Sequence, residues 1–128
     1  MRVLVVDDHS AVRKGVRLSL AICAGLDVVG EGANGQEAID QTEKLHPDLV
    51  IMDVSMPVMD GLNAAAIIKS CHPEVHILMF SMHKLREFID AARSLGLDGY
   101  VPKEEDGPCL RNAVQAVLHN QTYFPELS

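Results

Sequence analysis

Four short apolar runs that fail to alternate set the tightest limit on what this chain can fold into. Val3-Leu4-Val5-Val6, Leu49-Val50-Ile51-Met52, Val75 to Phe80 (interrupted by His76) and the weaker Gly99-Tyr100-Val101 each have the length of a strand. Strict alternation would mark a strand with one wet face. Its absence marks strands covered on both faces, the habit of a parallel sheet. A fifth run, Leu26-Asp27-Val28-Val29-Gly30, carries a polar residue, as an edge strand does.

Helical patterns separate the runs. Ser10 can cap a helix through Val12, Val16, Leu20 and Cys23 that ends near Gly25. Asn34 and Glu37 have capping-box spacing ahead of Ala38, Ile39 and Leu45, and His46-Pro47 stops that helix. Asp60 caps a third through Leu62, Ala65 and Ile68, which ends before His72-Pro73. Leu85, Phe88, Ile89, Ala92 and Leu95 keep an i, i+3, i+4 rhythm that closes at Gly96. Asp106, with Pro108 in the first turn, opens a last helix through Leu110, Ala113, Val114 and Val117. Strand then helix, five times over, with right-handed crossovers, predicts a doubly wound α/β fold. The expected sheet is parallel and five-stranded, in the flavodoxin-like order 2-1-3-4-5, with helices on both faces.

Composition narrows the function classes. A chain of 128 residues is one domain with room for a core. Its net charge of -7 disfavours direct contact with nucleic acid, and 4% aromatics with no Trp leave little to stack on bases. Cys23, Cys71 and Cys109 form neither a CxxC nor a paired framework, which fits free thiols in a reducing compartment. The N-terminal apolar run is too short for a signal peptide or a membrane span, so the expectation is a cytoplasmic protein without a membrane partner.

In an open doubly wound sheet, ligands bind beyond the carboxyl ends of the strands, where the strand order reverses. Asp7, Asp8 and His9 follow the first run, Asp53 the third, Ser81 the fourth and Lys103 the fifth. A single strand-end Asp is a turn former. Asp7, Asp8 and Asp53 at one switch point form a site, and three crowded carboxylates ionise cheaply only if a cation joins them. Oxygen donors in an open set suit Mg²⁺. A metal, a lysine and the Ser81 hydroxyl around one Asp make an oxyanion-stabilising arrangement, as an Asp nucleophile attacking phosphorus needs.

These residues, with the M-P-V-M-D-G that follows Val54 and Ser55, and with Tyr100, resemble the receiver domain of two-component response regulators over the whole chain. The resemblance implies that Asp53 is the phosphoacceptor and that Asp8, Asp53 and the main-chain carbonyl of Ser55 hold Mg²⁺. Asp7 would act mainly through bound water, Lys103 would pair with the phosphoryl group, and Ser81 and Tyr100 would form the conformational switch. The implied donor is a sensor histidine kinase. The domain would catalyse only its own phosphorylation and dephosphorylation, so it is not an enzyme of turnover. V-G-E-G-A-N-G-Q-E-A, F-S-M-H, G-Y-V-P-K and the tail Y-F-P-E-L-S look like receivers that precede a LuxR-type helix-turn-helix. On that likeness residues 1–120 are the receiver and 121–128 begin a linker to a DNA-binding domain. DNA would be reached only through that domain, and phosphorylation would drive self-association. One departure is that Pro102 precedes Lys103 and Glu104 follows it, where many receivers place Pro after the lysine.

Other readings are weaker. Gly30 to Gly35 spells G-x-G-x-x-G, but it follows the second strand, and Glu31 sits where a pyrophosphate would lie. Cys71, His72 and His76 suggest zinc, yet Pro73 breaks their register. His9 reads as a rim residue, because an Asp nucleophile needs no base. A phosphatase with an Asp nucleophile wants a second carboxylate two residues on, where Ser55 stands. A flavin carrier wants a phosphate loop after the first strand, where Asp7 and Asp8 would repel it.

Overall fold

The computed structural model describes residues 1–83, 85–103 and 107–125, with backbone alone at 107 and 108. Strands β1 (Arg2–Val6), β2 (Asp27–Gly32), β3 (Leu49–Met52), β4 (His76–Ser81) and β5 (Gly99–Pro102) alternate with helices α1 (Ser10–Ala21), α2 (Gly35–Leu45), α3 (Gly61–Cys71), α4 (Arg86–Ser94) and α5 (Gly107–Leu118). All strand pairs are parallel and the order is β2-β1-β3-β4-β5, as predicted.

The non-alternating runs are explained by two cores. Leu4, Val6, Val50, Met52, Ile77 and Met79 face α2, α3 and α4, where Ala38, Ala64, Ala65, Ile68, Ile89 and Ala92 meet them. Val3, Val5, Leu49, Ile51 and Leu78 face α1 and α5, against Val16, Leu20, Ala113, Val114 and Val117. Each such side chain gains about 1.5–3 kcal/mol by leaving water, which holds β1 and β3 at the centre. Among the described residues no helix is long and apolar enough to cross a membrane.

Several boundaries differ from the sequence reading. Ser10 is the first helical residue of α1, not its cap. His9 is the cap and makes no side-chain cap bond, while its own N–H donates to Asp7 Oδ1 at 2.9 Å. The helix stops at Ala21, and Gly25, with φ +84°, turns the chain four residues further on. Strand β2 continues past Gly30 to Gly32, so the glycine motif lies largely inside a strand. The register shift opposite Val3 and Leu4 leaves Gly30 facing Leu4. The box at Asn34 forms on one side: Asn34 Oδ1 accepts from Glu37 N–H at 2.9 Å, while Glu37 reaches the N–H of Ala33 at 3.1 Å. Asp60 caps α3 as expected, through Asn63 N–H at 2.9 Å. Leu85 caps α4 from outside the helix. The expected cap at Asp106 lies outside the described residues.

Candidate functional site at the carboxyl end of the sheet

Register brings the strand ends together. Val6 pairs with Met52, and Met52 with Met79, so the chain leaves β1 and β3 at the same level. Asp53 N–H donates to Val6 O at 3.1 Å and Asp7 N–H to Gly32 O at 3.0 Å, which ties both carboxylates to the sheet rather than to mobile loops. The turn after β3 closes tightly. Gly61 N–H donates to Val54 O at 2.7 Å, and a Cβ on Gly61 would lie 1.8 Å from Asp53 O, so no other residue fits. Val58 in this turn has φ +70° and is 81% exposed, a strained setting for a β-branched residue.

Asp7, Asp53 and Ser81 are all buried, at 2%, 6% and 0% exposure. Lys103 Nζ bridges the two carboxylates, at 2.5 Å from Asp7 Oδ2 and 3.4 Å from Asp53 Oδ2. The lysine therefore leans on Asp7, not on Asp53. Arg13 Nη1 holds the main-chain oxygen of Asp7 at 2.6 Å. Burial pushes the Asp53 carboxyl above its ordinary value; the Lys103 ammonium opposes that shift and the Asp7 charge adds to it. Asp8 stands at the rim. Its Oδ1 lies 3.2 Å from His9 Nδ1, which is itself 3.3 Å from Asp7 Oδ1. Asp7, Asp8 and His9 form a tight group of metal-capable atoms among the described residues, and Asp53 is not in it. Ser55 is exposed in the turn leaving β3.

Asp7, Asp8 and Asp53 thus gather carboxylate oxygens at the carboxyl end of the sheet, beside the ammonium of Lys103. Such a donor set fits a hard divalent cation.

The fourth and fifth strands complete the site. Lys103 N–H donates to Ser81 O at 2.6 Å, which locks the exit of β5 beside that of β4. Ser81 Oγ accepts from His83 N–H at 3.2 Å. Tyr100 is fully buried, and its hydroxyl donates to His83 O. The ring thus lies inward, with its hydroxyl on the carbonyl of His83 in the loop after β4. Sequence reasoning found the strand-end residues and missed two further features. One is the role of Gly61, whose lack of a Cβ lets the chain pass against Asp53 O. The other is the His9 contact with both Asp7 and Asp8, which adjacency alone did not reveal.

The sequence profile of the response regulator receiver domain matches residues 3–115. The transcriptional regulatory protein DegU of Brevibacillus brevis is 32% identical over 97% of this chain, and the response regulator VraR of Staphylococcus aureus 36% identical over 99%. The chain spans 52% and 61% of those relatives, respectively. Among solved structures, the isolated receiver domain of RcsB from Salmonella enterica serovar Typhimurium, with the phosphomimetic BeF3-, superposes with a TM-score of 0.92 at 30% identity, covering 98% of this chain and 94% of that one. A LuxR-family response regulator from Aurantimonas gives 0.91 at 34% identity, covering 95% and 87%. By profile, by sequence and by fold, the chain belongs to the response regulator receiver domain family.

Proposed function

We propose that this domain is the phosphoacceptor switch of a two-component phosphorelay, with Asp53 as acceptor and a sensor histidine kinase as donor. The observation that carries the reading is a buried carboxylate at the end of a central strand, raised in pKa, with the Lys103 ammonium 3.4 Å away. One Asp53 oxygen attacks phosphorus, the new O–P bond forms, and the P–N bond to the donor imidazole breaks with its electron pair left on nitrogen. Lys103 shifts its weight from Asp7 toward the arriving phosphoryl oxygens, and the Ser81 hydroxyl turns from His83 N–H to donate to one of them. Asp8, Asp53 and the main-chain carbonyl of Ser55 would hold Mg²⁺, with Asp7 acting through water. Bound there, the ion supplies positive charge opposite the developing charge on phosphorus.

The matches to DegU and VraR run along nearly the whole chain and favour a receiver that controls transcription through a separate DNA-binding domain beyond residues 121–128, from within the cytoplasm. Phosphorylation would promote a homodimer; one relative's structure shows two RcsB dimers bound to two parallel DNAs. A second reading has one observation behind it. A protein-glutamate methylesterase from Methanosarcina mazei is 44% identical over 82% of this chain, which covers 30% of that protein, so an enzymatic output domain is the alternative. The domain itself turns over nothing but its own aspartyl phosphate.

Incubation with acetyl phosphate and Mg²⁺ should add one phosphoryl group to the intact chain, and peptide mapping should place it on Asp53. Equal labelling of Asp53→Ala would remove the assignment.

A further inference from the structure

The chain past α5 folds back onto the sheet. Tyr123 forms a parallel bridge with Gly99 on the outer side of β5. Its N–H donates to Asp98 O at 2.9 Å, and its carbonyl accepts from Tyr100 N–H at 2.9 Å. Phe124 packs against the core cluster that contains Tyr100, Ile89 and Ala92, and the Arg93 guanidinium of α4 lies 4.4 Å from the centre of its ring. Gly99 makes the approach feasible, since a Cβ there would sit 2.4 Å from Tyr123 O and 2.7 Å from Leu78 Cδ2.

Tyr100 therefore takes part in two contacts at once. Its hydroxyl reaches His83, two residues after Ser81, and its amide reaches Tyr123. β5 is an edge strand, with β4 on its other side. Tyr123, bonded to the Tyr100 amide, and Phe124, packed on the cluster that holds the Tyr100 ring, together cover the open edge of β5. We propose that residues 122–125 are a strap, and that its docking on β5 and the inward position of Tyr100 form one coupled state. Occupancy of the Asp53 pocket then sets how firmly the chain after α5 is held against α4 and β5. That last clause rests on the phosphoacceptor reading; the coupling of strap to ring does not.

Hydrogen exchange at the Tyr123 amide, read by NMR on the 128-residue chain, tests the coupling in both directions. Beryllofluoride with Mg²⁺ should raise Tyr123 protection about five-fold or more, the lower range of ordinary coupling energies. Phe124→Ala, which leaves the sheet intact, should lower that protection and weaken beryllofluoride binding by a similar factor, because coupling is reciprocal. Gly99→Ala should do the same more strongly, and Phe124→Ala keeps the test open if Gly99→Ala does not fold. Unchanged Tyr123 protection on binding, or lost protection with unchanged affinity, overturns the proposal. Tyr100→Phe without any beryllofluoride should also lower Tyr123 protection; no change there overturns it equally. If beryllofluoride does not bind the wild-type chain, the phosphoacceptor reading falls and the Tyr100→Phe arm alone decides the strap.

Discussion

The two poles of the sheet handle charge in opposite ways. At the amino pole Arg2, Lys69, His76 and Asp98 each meet a hydrogen-bond partner within the chain. Arg2 gives its N–H to Asp48 Oδ2 at 2.7 Å and its guanidinium to Leu45 O at 2.6 Å. Asp98 Oδ2 accepts from Ile77 N–H at 2.9 Å, its Oδ1 meets His76 Nδ1 at 3.0 Å, and Lys69 Nζ donates to Val75 O at 2.7 Å nearby. At the carboxyl pole, among the described residues, Asp7 and Asp53 share the ammonium of Lys103 while Asp8 meets only the His9 ring, and burial works against the Asp53 charge. The lesson is that one pole satisfies its polar groups with the chain's own partners, while the other gathers carboxylates, the setting in which the proposed Mg²⁺ would act. Removing a carboxylate should therefore cost stability at Asp98 of the amino pole and relieve it at Asp53 of the carboxyl pole.

The largest expected effect is at a position where the carboxyl pole is tight rather than charged. Gly61→Ala places a methyl group 1.8 Å from Asp53 O, against backbone that cannot yield cheaply. Chemical denaturation should show a loss of about 3 kcal/mol or more, together with loss of phosphoryl acceptance. Asp98→Ala comes next. It strips the Ile77 amide of its acceptor and should cost about 2–3 kcal/mol while leaving acetyl phosphate labelling at Asp53 intact. If it proved neutral, the amino pole would not rest on the chain's own partners.

Asp53→Asn should move the other way and stabilise the fold by about 1 kcal/mol at neutral pH. The sign follows from linkage. A carboxyl whose pKa is raised on folding favours the native state fully below its ordinary value of 3.8, and that contribution is lost as pH rises through the folded value. The gap between wild type and Asp53→Asn should thus be widest near neutrality and shrink in acid. Glu31 gives the smallest effect and the opposite sign. Although burial works against its charge, hydrogen bonds from Arg17 and Arg13 hold its carboxyl below the ordinary value of 4.5. Its contribution is present above that value and lost as pH falls through the folded one. Glu31→Gln should cost about 0.5 kcal/mol at pH 7, given solvent screening at a partly exposed pair, and nothing in strong acid.

The strands, their order and both cores were legible, because runs such as Val3–Val6 and Leu49–Met52 have one physical explanation and the crossover rule leaves few sheets to build from them. The placement of the candidate site residues was legible for the same reason, since Asp7, Asp53 and Lys103 stand directly after strands and Ser81 ends one. Details set by side-chain competition were not. Asp7 takes the His9 amide and also draws Lys103, and no spacing rule says which of three carboxylates a lysine will favour. The inward ring of Tyr100 depends on a carbonyl in the loop after β4, and the strap depends on one bridge at Tyr123, too short to leave a pattern.

The central claim, that the carboxylates of the carboxyl pole hold Mg²⁺, is tested most directly by thermal melting at pH 7 over a Mg²⁺ titration. Wild type and Asp98→Ala should both rise in Tm as Mg²⁺ is added, since the ion binds the native state alone. Asp53→Asn and Asp8→Asn should rise much less. An equal rise in all four proteins, or none in wild type, would contradict the account.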